Sequence, residues 1–514
     1  MRHRSFLLAL ALAIATVLAL PAAAPAAPDP AAPGPATLSR DGDGAAVLSR
    51  ATEALYGTGT PDRRPEATLA LRDLFAAKSR LGMLGNQFAG GLLARPTEGV
   101  RDPFADGYSA RSKRMCGANI CVHWVERTDD AATREWARTT LRAMRQVWRH
   151  HIGTLGYRRP ATDGLRGGNA KFDVYLKELG SKGVYGYCAP ERRVAGEPLQ
   201  ASGFCVLDND FARSQFGRAP KQTLKVTAAH EFFHAIQFAY DFGEDPWLLE
   251  STATWMEERF APAVDDNRAY LRYGQLGRPR VPLDLFETSG YAHYGNWTFW
   301  EFVADRLGAD VVRQVWERAG TGGGLPNDYS TQALRRVLAD HGGLPRIFAA
   351  YSAGNTIPGA TYPEGLAYPK APVASRLLST TQPRTRFKAR IDHLSSRSVR
   401  LRPDRSLRDA GWRLQVHIDA PATHRGSAAY LTVKRADGRL HRRLIRLDPT
   451  GAGQARVRFS ARATKVVTIT FANASTRTVC DDGTTYACQG TSRDDDRRFR
   501  LSAHVVRRSL PPRR

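Results

Sequence analysis

Residues 227–241 read TAAHEFFHAIQFAYD, an almost wholly apolar run with His230, Glu231 and His234 at its centre. A helix turns about 100° per residue, so the two histidines stand about 40° apart and one ~6 Å rise along the same face, where both imidazoles reach a single tetrahedral ion. Leu224, Ala228, Ala235 and Phe238 give this helix an apolar body, and Phe232 and Ile236 widen it. Such a helix is buried. Burying two imidazoles and a carboxylate without partners is expensive, so other parts of the chain must satisfy them. Glu231, next to the first histidine, is placed to take a proton from an attacking water while staying out of the ligand set.

A catalytic zinc site takes three protein ligands and keeps its fourth position open. Downstream, residues 244–260 read EDPWLLESTATWMEERF. Pro246 suits the first turn of a second helix with Asp245 as its cap, and Leu249, Ala253, Met256 and Phe260 form its inward stripe. Glu250 lies beside that stripe, 16 residues beyond His234, and is taken as the third ligand. Glu257, two turns later, is its rival, and otherwise a residue that supports a ligand from behind. Asp241 lies about 10 Å farther along the first helix than His234, out of reach of the same ion. Gln237 and Tyr240 stand where the metzincin pattern needs glycine and a third histidine, which argues against that arrangement. After the two helices, SGYAHYGNW (289–297) sets Tyr291, His293 and Tyr294 close together, and any of the three can donate a hydrogen bond to a developing oxyanion.

The rest of the chain sets the compartment. MRHRSFLLALALAIATVLALPAAAPAAP has the basic start, apolar centre and small-residue end of a cleaved secretory signal, with the cut expected within Ala22–Ala27. No later stretch is apolar enough to span a membrane, so an exported, extracellular protein is expected. Six cysteines fall into near neighbours, and sequential pairing gives three disulfides: Cys116 with Cys121, Cys188 with Cys205, and Cys480 with Cys488. The 514 residues are too many for one ordinary core. Residues 28–45 read as a Pro/Ala-rich lead-in. Up to about 110 a helical stretch follows, with Leu69, Leu71, Leu74, Phe75 and Leu81 on one broad face, either a pro-segment or a supporting layer. Strand-like runs such as ICVHWV, KFDVYL and GFCVLD alternate with helices at 132–151 and 223–241 through a catalytic domain over 111–375. Beyond 380 the pattern changes to period two in WRLQVHID, AAYLTVKR, QARVRFS and KVVTITFAN, an all-β sandwich.

That last quarter is also the basic part of the molecule. Residues 381–514 hold 30 Lys+Arg against 11 Asp+Glu, a net +19 of the chain's +25. Such charge can hold the protein on an anionic cell-wall polymer, lipid headgroups or nucleic acid, or a strongly Arg-biased composition simply scatters arginines over solvated strands; no aromatic-interleaved stripe or nucleic-acid motif accompanies it. Two acidic turns, Asp208–Asp210 and Asp494–Asp496, raise a calcium reading, although neither has the spacing of an EF-hand loop.

HEFFHAIQFAYD followed by WLLESTATWMEE resembles the paired helices of gluzincin metallopeptidases. KFDVYL, YGYCAP, VLDNDF, VTAAHEFFHAIQFAYD, WLLESTATWMEERF and YGNWTFWEFVADRLG together are similar to a family of secreted bacterial metalloproteases, over roughly 50–375. The resemblance implies an α+β zincin-like metallopeptidase domain, zinc on His230, His234 and Glu250, Glu231 as general base and a protein or peptide substrate. The interval to Glu250 is a few residues shorter than in thermolysin-like enzymes, so the connection between the helices must be tight. A competing class is a non-catalytic, wall-binding surface protein with a structural metal site. Such a site is normally closed by four ligands, usually with cysteine.

Overall fold

A computed structural model describes residues 44–507 apart from 58–65, 102, 103, 105, 288, 289, 323 and 325. The expected signal peptide and nearly all of the lead-in lie outside the described residues. Three helices come first, α1 (Gly44–Tyr56), α2 (Ala67–Ala77) and α3 (Met83–Leu92). A five-stranded sheet follows, of β1 (Lys113–Cys116), β2 (Ile120–Trp124), β3 (Phe172–Lys177), β4 (Gly186–Val194) and β5 (Glu197–Asp208), with α4 (Arg134–Trp148) between β2 and β3. Its order is β1-β2-β3-β5-β4. The inner strands β2, β3 and β5 run parallel, while β1 and β4 pair antiparallel at the edges. ICVHW and FDVYLK are buried at every position, as inner parallel strands covered on both faces must be.

The chain continues as a one-turn α5 (Arg213–Phe216) and the two long helices, α6 (Pro220–Asp241) and α7 (Pro246–Phe260). Each long helix starts on a proline, whose fixed φ and missing N–H suit that position. Four residues separate them, the tight connection the sequence requires. Asp245 precedes α7, yet its carboxylate makes no capping bond there. It accepts instead from the backbone N–H of Cys488 (2.8 and 3.0 Å) and from the Ser330 hydroxyl. α8 (Ala292–Gly295), α9 (Trp297–Leu307), α10 (Asp310–Ala319), α11 (Ser330–Ala339) and α12 (Leu344–Gly354) complete the helical part.

The C-terminal region is a two-sheet sandwich. Its strands are β6 (Ala374–Leu378), β7 (Arg384–Ile391), β8 (Ser395–Pro403), β9 (Trp412–Asp419), β10 (Ser427–Arg435), β11 (Leu440–Ile445), β12 (Ala452–Arg458), β13 (Thr464–Asn473), the short pair β14 (Thr478–Val479) and β15 (Thr491–Ser492), and β16 (Arg497–Arg507). One sheet runs β11-β10-β13-β8-β6 and the other β12-β9-β16-β7. Phe387 on β7 and Phe499 on β16 meet Phe471 on β13 across the interior. The first strand begins at residue 374, so the sandwich starts six residues earlier than the expected boundary at 380. The three disulfides form as paired in sequence, joining Cys116 to Cys121, Cys188 to Cys205 and Cys480 to Cys488. They fit an extracellular or periplasmic location. Among the described residues no helix is long and apolar enough to cross a membrane.

The described residues fall in one compact unit, although the sandwich has a hydrophobic core of its own. Backbone bonds cross the junction at Leu283 N–H to Leu394 C=O (3.0 Å), Ser396 N–H to Pro279 C=O (2.8 Å) and Phe286 N–H to Thr485 C=O (3.0 Å). His393 stands between Asp495 (Nδ1 2.6 Å) and Asp284 (Nε2 3.1 Å). Burial alone would lower its pKa, but the two carboxylates raise it to about 10, so the junction holds an imidazolium at neutral pH.

The helical stretch before residue 110 packs as a supporting layer. α2 is buried on all sides rather than on one stripe, and Leu81 falls in the turn beyond its end. Arg95, 1% exposed, bonds Asp173 (2.6 Å), Glu191 (2.6 and 2.9 Å) and Asp163, and His123 reaches the other oxygen of Asp173 (2.7 Å). One guanidinium from the N-terminal segment thus compensates three buried carboxylates of the sheet layer. An Arg95→Met variant is expected to lose about 3–5 kcal/mol of stability, because Asp163 would lose its cationic partner while Asp173 and Glu191 would keep only His123 and Arg166. Urea unfolding of the full chain measures it, and a loss under about 1 kcal/mol would show that the network relaxes without its cation.

Candidate metal centre

α6 and α7 pack side by side and bring His230, His234 and Glu250 together. The Nε2 atoms of His230 and His234 lie 3.3 and 3.5 Å from the two oxygens of Glu250, without hydrogen-bond geometry. Two ligands each ~2.1 Å from a tetrahedral ion sit about 3.4 Å apart, so these separations match a site built around zinc. His234 Nε2 and both Glu250 oxygens are buried with no hydrogen-bond partner in the protein. Orphaned acceptors at that depth are costly, and together they form a donor set that could hold a cation.

The far sides of the rings are committed. His230 Nδ1 lies 2.7 Å from Glu257 Oε1, and His234 Nδ1 lies 2.7 Å from Gln237 Oε1. Gln237 in turn donates its amide to Leu249 C=O (2.9 Å) and Thr252 Oγ1 (3.1 Å), which fixes the amide so that its oxygen faces the ring. Both Nδ1 atoms therefore carry the proton and both Nε2 lone pairs point inward, the tautomer that metal ligation requires. Glu257 is placed as the supporting residue and Glu250 as the converging one. Asp241 bonds locally to Gly243 N–H, away from the ion's position.

Glu231 leaves α6 in another direction, into a cleft of about 210 Å³. The Thr68 hydroxyl of α2 donates to its Oε2 (3.1 Å) and accepts from Cys188 N–H of β4 (3.1 Å). A side chain on Gly186 would meet Glu231 at 3.2 Å, so glycine there lets the edge strand pass close to the carboxylate. Burial raises the Glu231 pKa to about 7; His230 pulls it down and Glu250 adds to the rise. A carboxylate so tuned takes and returns protons near neutrality.

Tyr291, His293 and Tyr294 all line the same cleft. The Tyr294 ring stands 6.1 Å from that of His230 and 4.4 Å from that of His293. His293 is 2% exposed, its Nδ1 has no partner, and burial lowers its pKa to about 4, so it is neutral. Tyr291 holds a left-handed backbone (φ 52°) at the start of α8 and packs its ring on Tyr270 and Tyr273.

Thr68 and Gln237 escape sequence reasoning in different ways. Gln237 sits three residues after His234, on the same helical face, and that spacing is a usable signal. Thr68 lies 163 residues from Glu231 and has none. The two acidic turns have protein partners. Asp208 accepts from the backbone N–H groups of Leu179, Gly180, Asp210 and Phe211, while Asn209 donates to Asp129 and Ala131. Asp494 meets Ser475, Arg425 and Arg477, Asp495 meets His393, and Asp496 meets Arg390. These donors satisfy the carboxylates of the two turns that raise the calcium reading from sequence. Among the described residues, His230, His234 and Glu250 form the one group of three such side chains whose ligand atoms all lie within 4.8 Å of one another.

No family model matches the chain, and no curated protein matches it. Among solved structures, the chain is similar to a periplasmic lysozyme inhibitor of g-type lysozyme from Aeromonas hydrophila, at 12% identity and a TM-score of 0.16, over 26% of this chain and 97% of that one. At that score the likeness carries no argument about fold or function.

Proposed function

We propose that the protein is a secreted zinc peptidase of the gluzincin type, with its zincin-like domain formed by the five-stranded sheet and helices α6 and α7. The observation that carries this reading is the convergence of ligand atoms from His230, His234 and Glu250, those of His234 and Glu250 without a partner in the protein, beside a cleft into which Glu231 projects. Bound there, zinc would supply Lewis acidity and make an attacking water acidic near neutral pH. Glu231 takes the proton of that water and delivers it to the leaving amine. Thr68 fixes one oxygen of Glu231, leaving the other for proton transfer. Glu257 and Gln237 hold the imidazoles, and a donor from Tyr294 or His293 serves the developing oxyanion.

The competing reading, a structural metal in a non-catalytic surface protein, is less favoured because three ligands rather than four converge and a carboxylate faces the open side. Purified full-length protein is expected to hold about one zinc per chain and to hydrolyse casein. A zinc chelator should abolish hydrolysis, and added zinc should restore it. Zinc-loaded, folded protein that cleaves neither casein nor a small peptide library would favour the structural site instead.

A further inference from the structure

The two sheets of the sandwich face different surroundings. α12 packs on β10 and β13, so the helical part covers the middle of the five-stranded sheet, while its edge strands β11 and β6 stay exposed. The outer face of the four-stranded sheet is open. Along β7 the outward positions are Arg384, Arg386, Lys388 and Arg390, all exposed, one after another at every second residue. On the neighbouring strand Arg498 pairs in register with Arg390, and Arg500 with Lys388. Farther across the sheet β12 presents Arg456 and Arg458 outward. Two aspartates stand at this face: Asp419 is taken by Arg500 (2.9 Å), and Asp496, just before β16, by Arg390. Arg384, Arg386, Lys388 and Arg498 have no acidic partner among the described residues. Two shallow depressions of about 590 and 470 Å³ open along the β7–β16 seam, the larger lined by Arg384, Arg386, Ser502 and His504.

Exposed arginines also stand on the five-stranded sheet, at Arg376, Arg402, Arg442 and Arg443, but none of its strands carries four outward cations at successive second residues as β7 does. Strand geometry spaces them about 7 Å apart along β7 and about 4.8 Å across strands. That grid fits a chain of repeating negative charges better than a single anion. The outward positions of the four strands carry no Phe, Tyr or Trp on which bases could stack, and none of the exposed large apolar side chains lies there to enter a bilayer. Three disulfides place the protein outside the reducing cytoplasm, where nucleic acid is not the prevailing polyanion.

We infer that the outer face of the β12-β9-β16-β7 sheet binds an anionic cell-wall glycopolymer of the phosphodiester class, laid along the β7–β16 seam. The inference is independent of the peptidase reading, since no metal ligand or cleft residue takes part.

The test uses the full-length protein, with poly(glycerol phosphate) as probe and binding measured between 50 and 200 mM salt. A triple variant Arg384→Gln, Arg386→Gln, Lys388→Gln removes three exposed cations, and its unfolding midpoint should match the wild type. A control of equal charge, Arg134→Gln, Arg138→Gln, Arg142→Gln, removes three exposed arginines from α4. The β7 variant is expected to bind about a hundredfold more weakly at low salt. Its slope of log affinity against log salt should be shallower by about two. The α4 control should bind as wild type does. Equal losses in the two variants would reduce the interaction to net charge and overturn the site. Tighter binding to single-stranded DNA or to phosphatidylglycerol vesicles than to the wall polymer would overturn the choice of partner.

Discussion

A Glu231→Gln variant is expected to keep its zinc and its fold while hydrolysing peptides about 10²–10⁴-fold more slowly. Glutamine has nearly the shape of glutamate, and its amide oxygen can still accept from Thr68, so the contact from α2 survives. What disappears is the ability to accept the water's proton and pass it on. Since Glu231 points into the cleft and not at the ligand set, metal content should be unchanged. Zinc loss would mean that Glu231 helps to bind the ion. Unchanged hydrolysis would move the general base elsewhere in the cleft. Measuring metal and turnover on the same preparation separates the two outcomes.

His234→Ala and Glu250→Ala are expected to lose both zinc and activity. Each residue is fully buried and supplies an atom for which the protein offers no other partner. With one of three ligands gone, the open tetrahedral site has two left, too few to hold zinc against a mild chelator. Glu257→Gln is the informative comparison. Its carboxylate touches the far nitrogen of His230, so weakening it should cost about 10–100-fold in metal affinity and leave a detectable site. If Glu257→Gln strips the metal while Glu250→Ala retains it, the two glutamates have been assigned the wrong way round.

The metal helices are legible in the sequence because helical spacing is a local rule. His230, His234 and the apolar residues between them fix a buried face without reference to the rest of the chain, and Pro246 marks where the next helix begins. Inner strands are legible for a similar reason, since ICVHW and FDVYLK have no polar face to show to water. The sandwich strands follow from alternation, and the observed β9 spans the whole of WRLQVHID. The support around the site is not legible. Thr68, Arg95 and the Asp245–Cys488 contact are polar pairings between distant segments, and a sequence records each partner without recording that they meet. Asp245 is instructive because its local context describes a helix cap. A tertiary donor supplied a better partner for its carboxylate, and the capping bond was not made. The edge strand β4 is hard to read from sequence because Pro190 and a run of charged residues mask its pairing with β5.

The Cys480–Cys488 loop sits 243 residues from Asp245 in the chain, yet it donates to the residue that opens α7, five positions before Glu250. The tail is therefore part of the scaffold that positions Glu250, the proposed metal ligand, and cutting the chain near residue 378 would remove that donor and the Thr485 carbonyl together. Domain shuffling has a corresponding constraint. The helical region grafted onto a different tail would need replacements for this loop and for the Leu394, Ser396 and His393 contacts, however well the new tail folded by itself. The same dependence makes the oxidation state of Cys480 and Cys488 a variable in recombinant production: a host compartment that leaves them as thiols would free the loop and loosen the first turn of α7 from outside the cleft.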